Sequence, residues 1–279
     1  MRIGCCGSTI APATDAIGID TVETLAELGF DYVELSLADL AALPGDAFAR
    51  LAARLDRSGL RCEACNNFFP PRLRLTGEDA DPDRALAYAG LALARAAALG
   101  ARVVVFGSAG AKNVQAGFPR EAAWQQLVSL LRQLGFVAAE HDLEIAIEPI
   151  NRVEANIVNL AGEGLDLAAA VDHANVRLLV DYYHLMMERE DLDVVLRAGP
   201  AIRHVHVAQV EGRRFPASIE ADAAAFFERL HRIGYDRRCS IEAFTSDFRA
   251  DAARALCALR QAADRQDAAG GGRGRRGRP

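Results

Sequence analysis

EIAIEPINRVE (144–154), VRLLVDYYH (176–184), IRHVHVA (202–208) and RCSIEAF (238–244) share one pattern. Each runs out of an apolar, β-branched stretch into a side chain able to ligate a metal: Glu148, Asp181, His206 and Glu242. Side chains alternate across a strand, so Ile145 and Ile147 share one face, and Ala146 and Glu148 the other. By the same alternation, Val205 and Val207 oppose His204 and His206, and Ile241 and Ala243 oppose Ser240 and Glu242. Burying a carboxylate costs several kcal/mol unless it is paired or bound to a cation. Three strand-end carboxylates with one imidazole therefore call for a divalent metal. An oxygen-rich, sulfur-free donor set favours Mn²⁺, with Mg²⁺ or Co²⁺ workable. Arg213 or Arg214, just past the third segment, would offset the remaining negative charge.

Working outward, four earlier segments have the same strand character: RIGCCG (2–7), YVELS (32–36), CEACNN (62–67) and RVVVFGS (102–108). Helical periodicity separates them over 19–29, 45–59, 82–100, 119–141, 162–173, 192–199 and 218–234, and follows the last strand over 247–264. Glycines mark helix ends at Gly29, Gly59, Gly100, Gly199 and Gly234. Eight βα units predict a (β/α)8 TIM barrel filling residues 1–267 as one domain. An open doubly wound sheet is disfavoured, because no G-x-G-x-x-G follows the first strand. All four ligating residues then fall at the strand C-terminal ends, where barrel active sites are built.

The loop PPRLRLTGEDAD (70–81) reads as a lid or rim element, and the Gly/Arg stretch 268–279 as a disordered tail. The formal charge is −6, and setting aside the four arginines of GGGRGRRGRP (270–279) leaves −10 for the body. Such a body lacks the basic face that nucleic acid requires. No leader or membrane span is expected, since no apolar run reaches about 18 residues. Six cysteines in a cytoplasmic, reducing setting read as small core residues. Cys62 and Cys65, three apart on a strand, are expected to face opposite sides. Glu34 and Asn66 or Asn67 end strands 2 and 3 and are candidates for rim hydrogen bonds or substrate contact. His204 reads as a residue that orients a ligand by hydrogen bonding.

The run Glu148-Pro-Ile-Asn151-Arg152-Val-Glu154, then Asp181-Tyr-Tyr-His184, His204-Val-His206 and Glu242, resembles the ketose 3-epimerase (tagatose/psicose epimerase) branch of the xylose-isomerase-like barrel superfamily. The layout matches over 1–265, with the specific motifs in the second half. The resemblance implies that Glu148, Asp181, His206 and Glu242 hold the metal, and that Glu154, His184 and Arg213 hold the sugar. The stretch VAQVEGRR is one residue longer to its arginine than in the epimerases, which leaves Arg213 and Arg214 as alternatives. The implied chemistry is C3 epimerisation of a free ketose through an enediolate, with Glu148 and Glu242 as the acid–base pair. A homodimer or homotetramer is implied as well.

Four competing readings use the same scaffold. A hydroxypyruvate-isomerase-like aldose–ketose isomerase would move the proton between neighbouring carbons. A lyase or dehydratase, like the inosose dehydratases or the C-glycoside-cleaving barrels, would eliminate across a sugar bond. A nuclease resembling endonuclease IV would need several metal ions and a basic surface, which six histidines and an acidic body disfavour. A non-catalytic sugar-binding protein would be expected to lose Glu148 or Glu242, and both are present.

Overall fold

The structure, a computed structural model, describes residues 1–10 and 15–264. Residues 268–279, read above as a tail, lie outside the described residues. Eight strands close into a parallel barrel in sequence order. They are β1 (Arg2–Cys6), β2 (Tyr32–Ser36), β3 (Cys62–Asn66), β4 (Val103–Phe106), β5 (Glu144–Ile147), β6 (Val176–Asp181), β7 (Ile202–Val207) and β8 (Arg238–Ile241). Each falls within a segment predicted as a strand.

The connecting helices start and stop where local chemistry allows. Pro82–Ala98 begins at Asp81, whose carboxylate accepts the Arg84 N–H at 2.9 Å, with Pro82 spending no needed donor. Val22–Leu28 ends at Gly29, whose φ of 87° is cheap only without a Cβ. Two short helices, Leu37–Ala42 and Tyr182–Met187, escape the periodicity reading because six residues are under two turns. Among the described residues, no helix is long and apolar enough to cross a membrane.

The barrel interior is built in layers. At the N-terminal end, Glu63 receives Arg2 at 2.6 Å and Arg238 at 2.8 Å, while Glu144 receives Arg203 at 2.6 Å and Arg237 at 3.2 Å. Above this ion-pair floor lies a small apolar cluster of Val103, Val105, Ala146 and Leu179. Tyr32 lies across Gly4, and a Cβ on Gly4 would come within 2.3 Å of the ring. Outside the barrel, a continuous apolar core fills the space between strands and helices.

One expectation needs correction, and one pair of alternatives is resolved. Cys62 and Cys65 do not face opposite sides: their sulfurs are 3.7 Å apart, both buried in the strand–helix layer. The cause is a bulge. Val33 pairs with Cys62 but Glu34 pairs with Ala64, so the extra residue Glu63 restores both thiols to one face. A matching shift at Arg203 in β7 leaves both charged residues serving the ion-pair floor. The loop 70–81 is a rim element and not a free lid. Leu73, Leu75 and Thr76 are buried, Thr76 donates to Lys112 O at 2.9 Å, and Gln126 pairs with both backbone groups of Gly77.

Replacing Gly4 by Ala should destabilise the fold by about 1–3 kcal/mol through overpacking against Tyr32. Urea unfolding measures this, and an unchanged midpoint would show that the ring is not seated on Gly4.

Candidate active site

At the C-terminal end of the barrel, Asp181 ends β6, His206 lies in β7, and Glu148 and Glu242 stand one residue past β5 and β8. Register aligns Asp181 with His206 and His206 with Ser240, placing these side chains in neighbouring layers of one interior. The structure thus brings together all four residues that the strand pattern singled out. Ligand atoms of Glu148, Asp181, His184 and Glu242 lie within 4.8 Å of one another. His206 Nδ1 joins them, 3.1 Å from Glu148 Oε1 and 3.6 Å from Glu242 Oε2.

Glu34 organises the layer beneath. It is fully buried and accepts from Ser240 Oγ at 2.6 Å, His204 Nε2 at 2.8 Å and His206 Nε2 at 3.0 Å. Tyr32 Oη, 2.8 Å from Ser240 Oγ, extends the chain downward. Burial alone would raise the Glu34 carboxyl, but His206 and His204 outweigh it and hold the group well below the usual range. Glu34 is therefore acceptor-only, and His206 commits Nε2–H to it and presents Nδ1 to the upper cluster. Burial opposes a charge on His206, yet Glu34, Cys6 and Glu242 together raise its pKa well above the ordinary value. Glu34 is thus neither a rim group nor a substrate contact, as its strand-end position had suggested. His204 bonds to Glu34 and also meets the His206 ring edge-on, with centroids 4.8 Å apart.

The two flanking carboxylates differ. Burial would raise Glu242, but His206 and Arg213 hold it well below the usual range. Asn66 donates to its Oε1 at 3.2 Å, and the Arg213 guanidinium pairs with Oε2. Asp181 goes the other way, its carboxyl raised chiefly by burial. Its Oδ1 caps Tyr183 N at 2.8 Å, but its buried Oδ2 makes no hydrogen bond among the described residues. The cationic or N–H groups near that oxygen, among the described residues, are His184 Nε2 at 3.5 Å and Arg213 Nη2 at 3.8 Å. A buried carboxylate oxygen without a hydrogen bond is costly and is an open place for a cation.

His184 lies in the cluster with a fixed tautomer. Asn151 Oδ1 accepts Val153 N–H at 3.0 Å, which orients the amide. Its Nδ2 then donates to Glu154 Oε1 at 3.0 Å and to His184 Nδ1 at 2.8 Å. Nδ1 is an acceptor, so the proton sits on Nε2, facing Asp181. Of the two histidines, His206 turns Nδ1 toward Glu148 and Glu242, and His184 turns Nε2–H toward Asp181.

Arg213, not Arg214, enters the site. Its guanidinium reaches Glu154 at 3.3 Å as well as Glu242, and stacks 4.8 Å over Tyr183. The backbone of Arg214 instead pairs with Gln209 and bridges to Phe244. The turn needs Gly212 at φ 71° and holds Arg213 at φ 47°, a conformation that costs a side-chain-bearing residue about 1–3 kcal/mol. Structural partners that could have neutralised the carboxylates are occupied elsewhere. Arg152 pairs with Glu188, and Arg177 binds the carbonyls of His173 and Val176.

Sequence reasoning missed two residues. Gly107 follows β4, and a Cβ there would lie 2.1 Å from Glu148 Oε2, so the missing side chain is the space the carboxylate uses. Lys112, at the end of the short stretch AGAK, is fully buried and donates to Glu148 O at 2.9 Å. Burial lowers its amine to about 8. A glycine directly after an apolar strand was the available signal for the first; the second had none in local pattern.

The family model for xylose isomerase-like TIM barrels matches residues 22–264. A ketose 3-epimerase from Arthrobacter globiformis is 30% identical over 88% of this chain and 84% of its own. An L-ribulose 3-epimerase from Mesorhizobium japonicum is 28% identical, over 81% and 75%. The crystal structure of D-psicose 3-epimerase from Clostridium cellulolyticum H10 with D-tagatose superposes with a TM-score of 0.83 at 21% identity, covering 94% of this chain and 99% of that one. The chain belongs to the xylose isomerase-like TIM barrel family. Its relatives place it with the ketose 3-epimerases, as an isomerase-class enzyme.

Gly107→Ala should leave the barrel folded but displace Glu148, lowering kcat/KM about 10²-fold. Wild-type rates in that variant would show that Glu148 does not use this space. Arg213→Ala should likewise lower kcat/KM, while Arg214→Ala should not; steady-state kinetics on both decides between them, and the reverse ranking would contradict the assignment.

Proposed function

We propose that the chain is a divalent-metal-dependent epimerase that inverts C3 of a free ketose, with Glu148 and Glu242 as the acid–base pair. The observation that supports it is the convergence of Glu148, Asp181, Glu242 and His206 Nδ1, with Asp181 Oδ2 lacking a hydrogen bond among the described residues. Three carboxylates and one imidazole suit Mn²⁺, held by Glu148, Asp181, His206 and Glu242. A bound divalent ion polarises the ketose carbonyl and so acidifies the neighbouring C–H.

The protein's own groups do the rest. Glu242, ionised through His206 and Arg213, is ready to accept the C3 proton from one face. Glu148 faces it across His206 Nδ1 and returns a proton to the other face; exchange of these two roles suits the opposite C3 configuration. His184 Nε2–H, Glu154 and Arg213 line the same mouth and suit sugar hydroxyls. Asn151 ties Glu154 to His184, so both move as one unit. No Gly-rich phosphate loop follows β7 or β8, which favours an unphosphorylated sugar. The reading includes one barrel domain over 1–267 in a cytoplasmic homo-oligomer of two or four chains.

Incubation with Mn²⁺ and a panel of free ketohexoses in D₂O, read by NMR, tests this. Deuterium should appear at C3 together with the epimeric ketose, and Glu148→Gln or Glu242→Gln should lower the rate about 10²–10⁴-fold. Exchange at C1 without epimerisation would point to aldose–ketose isomerisation. No exchange with any sugar, by a protein that binds the metal, would overturn the epimerase reading.

A further inference from the structure

The chain carries 32 basic residues of the Lys and Arg types, and Lys112 is the only lysine among them. A surface cation is readily either type, and this chain uses arginine at every other position. The one exception is fully buried. Burying an ammonium is costly, and a retained buried lysine needs a specific partner. Here that partner is Glu148 O, 2.9 Å from Nζ.

The place of this carbonyl explains why a donor is needed. Glu148 is the first residue past β5, whose pairing to β6 ends at Ile147 with Leu178. The residue that follows is Pro149, which has no N–H. The main chain at Glu148 is thus leaving the sheet just where its carboxylate must be aimed.

The segment carrying Lys112 is itself firmly held. It is entered through Ser108 at φ 33°, a left-handed conformation unfavourable for serine, and continues as the helix Ala109–Lys112. The rim loop clamps it from outside: Leu75 N donates to Ala111 O at 3.0 Å, Arg74 to Gly110 O at 2.7 Å, and Thr76 to Lys112 O at 2.9 Å. Gly107, at the start of the same segment, leaves the space that the Glu148 carboxylate fills. Residues 107–112 therefore grip Glu148 twice, at the carboxylate and at the carbonyl. A guanidinium is larger and carries five donors, whereas the hydrogen bond made here is a single one to Glu148 O, which suits lysine better than arginine.

We propose that Lys112 is a positioning residue of the active site: its ammonium fixes the main chain at Glu148, and through it the direction of the Glu148 carboxylate. This rests on the reading of Glu148 as a metal-holding acid–base group. Lys112 donates to the Glu148 carbonyl, so its loss should act on Glu148 and not on Glu154, His184 or Arg213.

The test compares wild type, Lys112→Met and Lys112→Arg by Mn²⁺ calorimetry, by kcat and KM on the active ketose, and by thermal unfolding. In folded Lys112→Met, the Mn²⁺ Kd should rise and kcat should fall, each about 10-fold or more, while KM stays nearly unchanged. Lys112→Arg should not restore either value. Unchanged Mn²⁺ affinity and kcat in folded Lys112→Met would overturn the proposal and leave the metal reading intact. Absence of Mn²⁺ binding by the wild type would sink both. Should Lys112→Met fail to fold, ¹⁵N-lysine labelling of the wild type gives one side-chain resonance. Its shift on adding Mg²⁺ supports the proposal, and an unshifted signal on a protein that binds Mg²⁺ overturns it.

Discussion

Glu148, Asp181 and Glu242 put three carboxylates at one end of a closed barrel, within 4.8 Å of each other, and like charges at that distance repel strongly in a low dielectric. Much of the surrounding structure reads as compensation for that repulsion. Arg213 leans in from a strained turn to pair with Glu242 and approach Asp181. His206 stands between Glu148 and Glu242, its other nitrogen tied to a buried Glu34. Even so, among the described residues, the protein's own cations leave Asp181 Oδ2 without a hydrogen bond, and its carboxyl is raised by burial.

The layers below make this arrangement rigid. From Tyr32 through Ser240 to Glu34, and then to His204 and His206, a hydrogen-bonded chain crosses the barrel interior. Every residue in it is buried, so each group has a fixed role as donor or acceptor. Rotation of the His206 ring would break its bond to Glu34 and expose Nδ1 to the wrong layer. The ion-pair floor of Glu63 and Glu144 with four arginines closes the opposite end and keeps charge away from the apolar middle. The barrel is therefore graded from structural ion pairs, through an apolar layer, to a chemically open top.

What could be read from residues alone follows from periodicity. Strand alternation turned Glu148, His206 and Glu242 inward, because alternation depends only on neighbours in sequence; Asp181 stood out by its place at a strand end. Alternation failed where an extra residue enters a strand: the bulge at Glu63 reversed the faces expected for Cys62 and Cys65. It failed also where the partner is far along the chain. Glu34 meets His204 across 170 residues and Ser240 across 206, so its carboxylate looked like any strand-end acid. Lys112 lies in AGAK, a stretch with no periodicity, and only the closed barrel shows it buried beneath Glu148. The alternatives Arg213 and Arg214 were separated by the turn at Gly212, which local sequence does not reveal.

The most direct test of the central claim is anomalous diffraction from crystals grown with Mn²⁺. One peak should lie among carboxylate oxygens of Glu148, Asp181 and Glu242 and the Nδ1 of His206, with His184 outside the ligand set. A peak bound by His184 in place of His206, or no peak at this end of the barrel, would contradict the account.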